Sequence, residues 1–284
     1  MYFTYEFITK KIIRIVDLSK TAVYLILGSE KTILIDTGIG IGDLRDYIRK
    51  QFDKEVDEVI LTHGHLDHAS GAVVFKDLPI HLHENDRELM NRHVFDVKER
   101  IAYTEHMYKD PDEVRLLFGK EDVLEGCDSS NTIALYDGQE FDAGDMTLKV
   151  IHAPGHTQGM CVILFEEERI ILFGDACGVG VLLVEEYCST VENYLKTLHK
   201  LKKYEGDYDR IIRNHGTFES PKELLDNVIE VCEEILDDKD DRVLSKSPIP
   251  TKQRVYLAKR TLDGSNIRAD GKEGNIFYAE NKIR

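Results

Sequence analysis

The stretch Thr62-His63-Gly64-His65-Leu66-Asp67-His68 constrains this chain more than any other part of it. Three imidazoles and one carboxylate fall within six residues, directly after the apolar run Val59-Ile60-Leu61. Burying that many titratable groups at the end of an interior strand is costly unless a cation shares the site. Imidazole nitrogens and carboxylate oxygens are the donors preferred by a borderline ion such as zinc. In an extended segment alternate side chains share a face, so His63 and His65 can reach one ion together. A turn afterwards would aim Asp67 and His68 at a second ion, and Gly64 lets the backbone bend without a Cβ penalty. For most of the eleven histidines a hydrogen-bonded core or surface role is the better reading.

The surroundings of this cluster occur twice. Residues 21–37 read as a hairpin of two apolar runs about a Gly-Ser-Glu-Lys turn, ending at Asp36. Leu44, Tyr47, Ile48 and Phe52 then recur at helical spacing, and a strand EVILTH stops at His63. Residues 160–175 are again two apolar runs about a charged turn, and they end at Asp175. Val191, Tyr194, Leu195, Leu198 and Leu201 form one helical stripe, and RIIRNHG gives a short strand ending at His215. Chance recurrence of a common motif is the plainer reading. The reading favoured here is a pseudo-duplicated fold with two sheets packed face to face and helices outside. Its strand carboxyl ends would converge on one edge, where ligands sit in α/β architectures.

Between the halves, residues 84–126 are polar and rich in helix formers, as a lid or as surface decoration. Strand-like patterns return over 131–152, with Asp137-Gly138 and Gly144-Asp145 as turns. A last helix over 221–238 precedes a charge-rich, Pro-containing stretch around 238–252, and the tail from Arg268 reads as a terminal hairpin or strand. The expectation is one domain over 1–284, with a helical insertion at about 84–130 and a C-terminal extension at about 240–284.

THGHLDHASGA resembles the HxHxDH signature of the metallo-β-lactamase-fold hydrolase superfamily. IDTG at 35–38, APGHTQG at 153–159, FGDA at 173–176 and NHG at 214–216 resemble its other motifs in order. The resemblance spans 11–218 in scattered blocks; its central motif is highly specific, whereas NHG alone is weak. It implies an α/β fold of four layers, an αββα sandwich of two mixed sheets; glyoxalase-II-like and lactonase-like chains have a similar size and motif arrangement, and the branch stays open between them. It further implies that His63, His65 and His156 hold one metal, that Asp67, His68 and His215 hold a second, and that Asp175 bridges them. Asp36 would position the histidine loop, or serve only as a turn residue before Gly38.

Two bridged ions leave room for a shared water, whose lowered pKa makes hydroxide available near neutral pH. The activity expected is a metal-dependent hydrolase in which that hydroxide attacks an ester, thioester or lactone carbonyl of a small molecule. Asp67 would both ligate and orient the nucleophile; no residue announces itself as the acid for the leaving group. Histidine at position 65 favours two zinc ions, since relatives with iron redox chemistry tend to carry a carboxylate there, although iron or manganese suits the same donors. The alternatives on this fold are an iron-dependent, persulfide-dioxygenase-like oxidoreductase, a phosphodiesterase, and a non-catalytic ligand or metal binder.

Composition narrows the partners. Hydrophobic residues at 42% and charged residues at 32% describe an ordinary globular chain of 284 residues. A net charge of −16 argues against nucleic acid as a partner. No apolar run is long enough to cross a bilayer, and the opening residues carry no secretory h-region. Five cysteines without CxxC spacing point to reduced thiols and a cytoplasmic location. The oligomeric state stays open, a homodimer included. Other residues tempt less. Cys177 reads as a small buried thiol before a metal ligand, and His81 and His83 as a pair without a metal role. His152 reads as structural, while His93, His106 and His199 read as surface residues on helices. Tyr103, Tyr108 and Phe118 read as ordinary helix packing.

Overall fold

Aliphatic and β-branched runs build the first sheet, from β1 (Thr4–Phe7), β2 (Ile12–Val16), β3 (Ala22–Leu27), β4 (Thr32–Ile35), β5 (Glu58–Ile60), β6 (Ile80–Leu82) and β7 (Ile133–Ala134). In this computed structural model, residues 1–245, 251–262 and 267–284 are described. The seven strands lie in chain order: β1 to β4 pair antiparallel, and β4 to β7 pair parallel. They belong to the first of two compact units, Met1–Lys149, which also holds α1 (Leu44–Phe52), α2 (Leu66–Ala69), α3 (Arg87–His93), α4 (Val97–His106) and α5 (Pro111–Arg115). Helix α1 starts where the Asp43 carboxylate accepts the Asp46 N–H, and it buries Leu44 and Ile48. Those two side chains pack on Ile13, Ile15, Val23, Leu25 and Leu34 of the sheet. Strand β8 (Glu140–Asp142) pairs antiparallel with β9 (Thr147–His152), which carries the chain past the unit boundary.

The second unit, Val150–Arg284, contains β10 (Cys161–Phe165), β11 (Ile170–Leu172), β12 (Val181–Leu183), β13 (Arg210–Ile212), β14 (Glu219–Ser220), β15 (Val243–Ser245), β16 (Val255–Leu257) and β17 (Ile276–Ala279). One sheet runs β14-β13-β11-β10-β9, and a smaller one runs β12-β17-β16-β15. Helices α6 (Val191–Lys202) and α7 (Leu224–Leu236) bury their apolar stripes in one core with Ile171, Phe173 and Ile211. Of the stripe expected on α6, Val191, Tyr194, Leu198 and Leu201 are buried and Leu195 is half-buried. The fold is therefore α/β, with sheets of mixed direction and helices between and after their strands.

The duplicated order holds. An antiparallel hairpin, a helix and a strand parallel to the hairpin's second arm occur as β3-β4-α1-β5 and again as β10-β11-α6-β13. Ile35 pairs with Ile60 in the first and Leu172 with Ile212 in the second. Both later strands are shorter than expected. β5 ends at Ile60 rather than at His63, because Asp36 leaves β4 in a left-handed conformation (φ 62°) and its carboxylate, not a backbone carbonyl, receives the Thr62 N–H. The last helix and the terminal strand fall where the sequence places them, and residues 243–279 supply β15 to β17. Residues 246–250 of the Pro-containing stretch lie outside the described residues. Among the described residues, no helix is long and apolar enough to cross a membrane.

Candidate metal centre

In the first unit, Asp36, Thr62, His63, His65, Asp67 and His68 are brought together at the carboxyl ends of β4 and β5. Asp36 is fully buried and accepts three contacts: Thr62 N–H at 2.7 Å, the Thr62 hydroxyl at 2.8 Å and His68 Nδ1 at 2.8 Å. These contacts assign the protons. Thr62 gives its only hydroxyl proton to the carboxylate, so its oxygen accepts from His63 Nδ1 at 3.1 Å. His63 Nε2 then carries a lone pair, and it faces His65 Nδ1 at 2.9 Å. By the same logic His68 donates from Nδ1 to Asp36, which leaves its Nε2 lone pair 3.6 Å from Asp67 Oδ2. A ring lone pair facing a carboxylate fits a cation, and the Asp36 carboxylate behind His68 is the usual device for orienting a metal-binding imidazole.

Asp67 and His68 are consecutive in the short helix α2, with Asp67 Oδ2 3.6 Å from His68 Nε2. Asp67 Oδ2 accepts the Thr21 hydroxyl at 3.0 Å and the Tyr103 hydroxyl at 2.8 Å. Thr21 continues into a buried cluster in which Asp17 accepts from the Ser19 hydroxyl at 2.6 Å and from Ile39 N–H at 2.7 Å. Burial pushes the Asp17 carboxyl up to about 6, against those hydrogen bonds. Gly64 does not serve the turn expected of it. Its φ is not positive, and a Cβ there would stand 2.6 Å from the Asp86 carbonyl oxygen, so glycine is needed for close approach to the start of α3.

In the second unit, His156, Asp175 and His215 come together. His156 Nδ1 donates to the Leu182 carbonyl of β12 at 3.1 Å, so its Nε2 lone pair is presented 3.6 Å from Asp175 Oδ2. His215 Nε2 stands 3.4 Å from the same oxygen. These separations are long for hydrogen bonds. They suit neighbouring donors on one tetrahedral ion, which at bond lengths near 2.1 Å lie about 3.4 Å apart. Imidazole nitrogens and carboxylate oxygens of this kind suit a cation by their chemistry.

Three supports of this second group carried no sequence signal. Leu182 contributes only a backbone carbonyl, held in place because β12 pairs with β17, Leu182 opposite Phe277. Lys282 reinforces the same segment by donating to the carbonyls of Glu186 and Cys188 at 2.9 and 2.7 Å. Arg213, two residues before His215, donates to the His215 carbonyl at 3.1 Å, the Thr217 hydroxyl at 2.7 Å and the Ser220 hydroxyl at 2.9 Å. It thereby fastens the turn in which Gly216 adopts φ 70°.

Most residues set aside on sequence stay aside. Cys177 is fully buried, and burial pushes its thiol up to about 12, so it remains protonated. His81 packs on Glu58 and Phe141, His83 accepts the Asn85 N–H, and His152 contacts the Gln158 carbonyl. His106 and His199 are exposed. His93 differs from expectation: it is half-buried, with its ring 6.3 Å from that of His65 and its Nδ1 3.0 Å from Glu99. The reason is that α3 packs its carboxyl end toward the histidine loop rather than outward. Tyr103 also departs from simple packing, through its hydrogen bond to Asp67.

Asp36 can be tested directly. Asparagine tolerates the left-handed backbone, so Asp36→Asn removes the charge and one acceptor while sparing the turn. Zinc affinity, read by competition with a chromophoric chelator, should weaken by roughly 10- to 100-fold. Unchanged affinity would reduce Asp36 to a turn residue.

The chain is 25% identical over 194 residues to acyl-coenzyme A thioesterase MBLAC2 of Homo sapiens, covering 64% of this chain and 67% of that one. It is 28% identical over 191 residues to atrochrysone carboxyl ACP thioesterase of Aspergillus chevalieri, covering 63% of this chain and half of the fungal protein. Among solved structures, a metallo-β-lactamase from Pontibacter korlensis superposes with a TM-score of 0.57 at 15% identity, over 81% of this chain and 99% of the other. A β-lactamase domain protein from Burkholderia ambifaria gives 0.58 at 15% identity, over 82% and 76%. The sequence model of the metallo-β-lactamase superfamily matches residues 16–215, which include His63, His65, Asp67, His68, His156, Asp175 and His215, and the chain belongs to that superfamily.

Proposed function

We propose that this protein is a zinc-dependent hydrolase of small-molecule thioesters. In this reading His63, His65 and His156 would hold one ion and Asp67, His68 and His215 a second, with Asp175 a ligand to both. The observation that carries it is the proton assignment: Thr62 fixes His63, Asp36 fixes His68 and the Leu182 carbonyl fixes His156, each with its metal-facing nitrogen unprotonated. When bound, such ions supply Lewis acidity that makes water a nucleophile near neutral pH and polarises an acyl oxygen. Asp67, held by Thr21 and Tyr103, orients the attacking water and takes its proton. The new bond joins water oxygen to the acyl carbon, the carbon–sulfur bond breaks, and a carboxylic acid and a thiol result.

Thioester is favoured over ester, lactone or phosphodiester by the two thioesterase relatives. The chemistry agrees, because a thiol with a pKa near 8.5 leaves readily as thiolate and demands little of a general acid. The test is a panel of acyl-coenzyme A thioesters, lactones, phosphodiesters and β-lactams, each assayed with defined metals. Thioesters should be turned over fastest with zinc, and a chelator should abolish that turnover until zinc is restored. Chelator-resistant turnover, or a preference for phosphodiesters without thioester hydrolysis, would refute the proposal.

A further inference from the structure

The helical insertion is anchored too firmly for surface decoration. Helix α4 begins where Asp96 accepts the Glu99 N–H at 2.9 Å. One turn on, Arg100 is completely buried, its guanidinium donating to the Ile39 carbonyl at 3.4 Å and the Leu124 carbonyl at 2.5 Å. Ile39 lies in the glycine-rich loop after Asp36, and that loop is also stitched to the end of the insertion, Gly42 N–H to Asp122 at 2.9 Å and Leu124 N–H to Gly40 at 2.9 Å. Outside these polar ties, Val97, Ile101, Tyr103 and Phe118 pack on Leu18, Ile39, Ile41, Leu66 and Val123. Arg115 of α5 grips Glu105 of α4 through two hydrogen bonds at 2.7 and 2.8 Å.

Arg100 and Tyr103 are three residues apart and share a helix face. Pinning the guanidinium therefore fixes the direction of the tyrosine, whose hydroxyl donates to Asp67 Oδ2 at 2.8 Å. We propose that α4 is a working part of the metal centre, in which Tyr103 is a positioning residue that holds the Asp67 carboxylate in its ligating orientation. The role rests on Asp67 being a ligand, as argued above. Thr21 shares the task from β3's leading edge, so the carboxylate is gripped by the sheet and by the insertion together.

Tyr103→Phe keeps the ring and its packing and deletes only the donor. Zinc affinity of the purified chain, measured against a chromophoric chelator, should weaken roughly 10-fold or more at one of the two ions. On the thioester hydrolysed by the wild type, kcat should fall by a similar factor while KM changes little, and the metal-free variant should melt close to the wild type. Equal zinc affinities for variant and wild type would overturn the proposal. So would a metal-free variant that melts far below the wild type, since the tyrosine would then serve the fold. A wild-type chain that binds two zinc ions but hydrolyses no thioester would refute the substrate assignment alone, with the zinc comparison still deciding Tyr103. A wild type that binds no zinc would refute both.

Discussion

Asp175→Ala and His65→Ala should each lower thioester turnover by roughly 10³-fold or more, the scale on which preorganised charge stabilisation acts in hydrolases. Asp175 Oδ2 is approached by His156 at 3.6 Å and by His215 at 3.4 Å, so removing the carboxylate leaves two ring nitrogens facing a gap. Removing His65 leaves His63 Nε2 without its neighbour at 2.9 Å. Neither change should harm the metal-free fold. The Asp175 side chain retains 18% of its exposure and His65 is half-buried, so no core is emptied. Metal-free Asp175→Ala should melt at or above metal-free wild type, while the stabilisation added by zinc should shrink, because an ion stabilises only the state that binds it. Metal content, melting with and without zinc, and initial rates on one acyl-coenzyme A together decide the matter. Near-wild-type rates in either variant would end the ligand assignment.

How much of this was legible in advance depends on how local each signal is. The HxHxDH run declares itself because donors crowded within six residues have few structural uses. The two hairpin–helix–strand units declare themselves through period, since strands and helices repeat their apolar residues at different intervals. What stayed hidden depends on approach between segments distant in the chain. Nothing near Tyr103 says that its hydroxyl meets Asp67, 36 residues earlier. Leu182 acts through a carbonyl, which every residue has, and only its pairing with Phe277 makes it useful to His156. His93 looked like any histidine on a polar helix, because the direction in which a short helix packs is not written in its own residues. Asp36 was legible only as two open roles, and it performs both: its backbone turns the chain at φ 62° while its carboxylate fixes Thr62 and His68.

Gly64 shows how a right residue can be read for the wrong reason, and Gly71 shows what close approach costs when violated. A Cβ on Gly71 would lie 2.1 Å from the Thr37 carbonyl oxygen, a contact with backbone that no rotamer change relieves. The two segments are laced together there: Thr37 N–H donates to the His68 carbonyl at 2.7 Å, the Thr37 hydroxyl to the same carbonyl at 2.9 Å, and Gly71 N–H to the Gly38 carbonyl at 3.1 Å. Gly71→Ala must therefore part the loop that carries Asp36 from the turn that carries Asp67 and His68. Overpacking of this kind should cost about 3 kcal/mol. In a chain of this size that loss lowers the melting temperature by roughly 6–12 °C. Zinc binding should fall with it, since His68 loses its register against Asp36. Gly206→Ala is the control, because a Cβ there meets nothing within 4 Å, and its stability should stay within about 0.5 kcal/mol of wild type. If both alanine variants melt alike and bind zinc alike, the packing between residues 37–38 and 68–71 does not govern the geometry of the histidine loop.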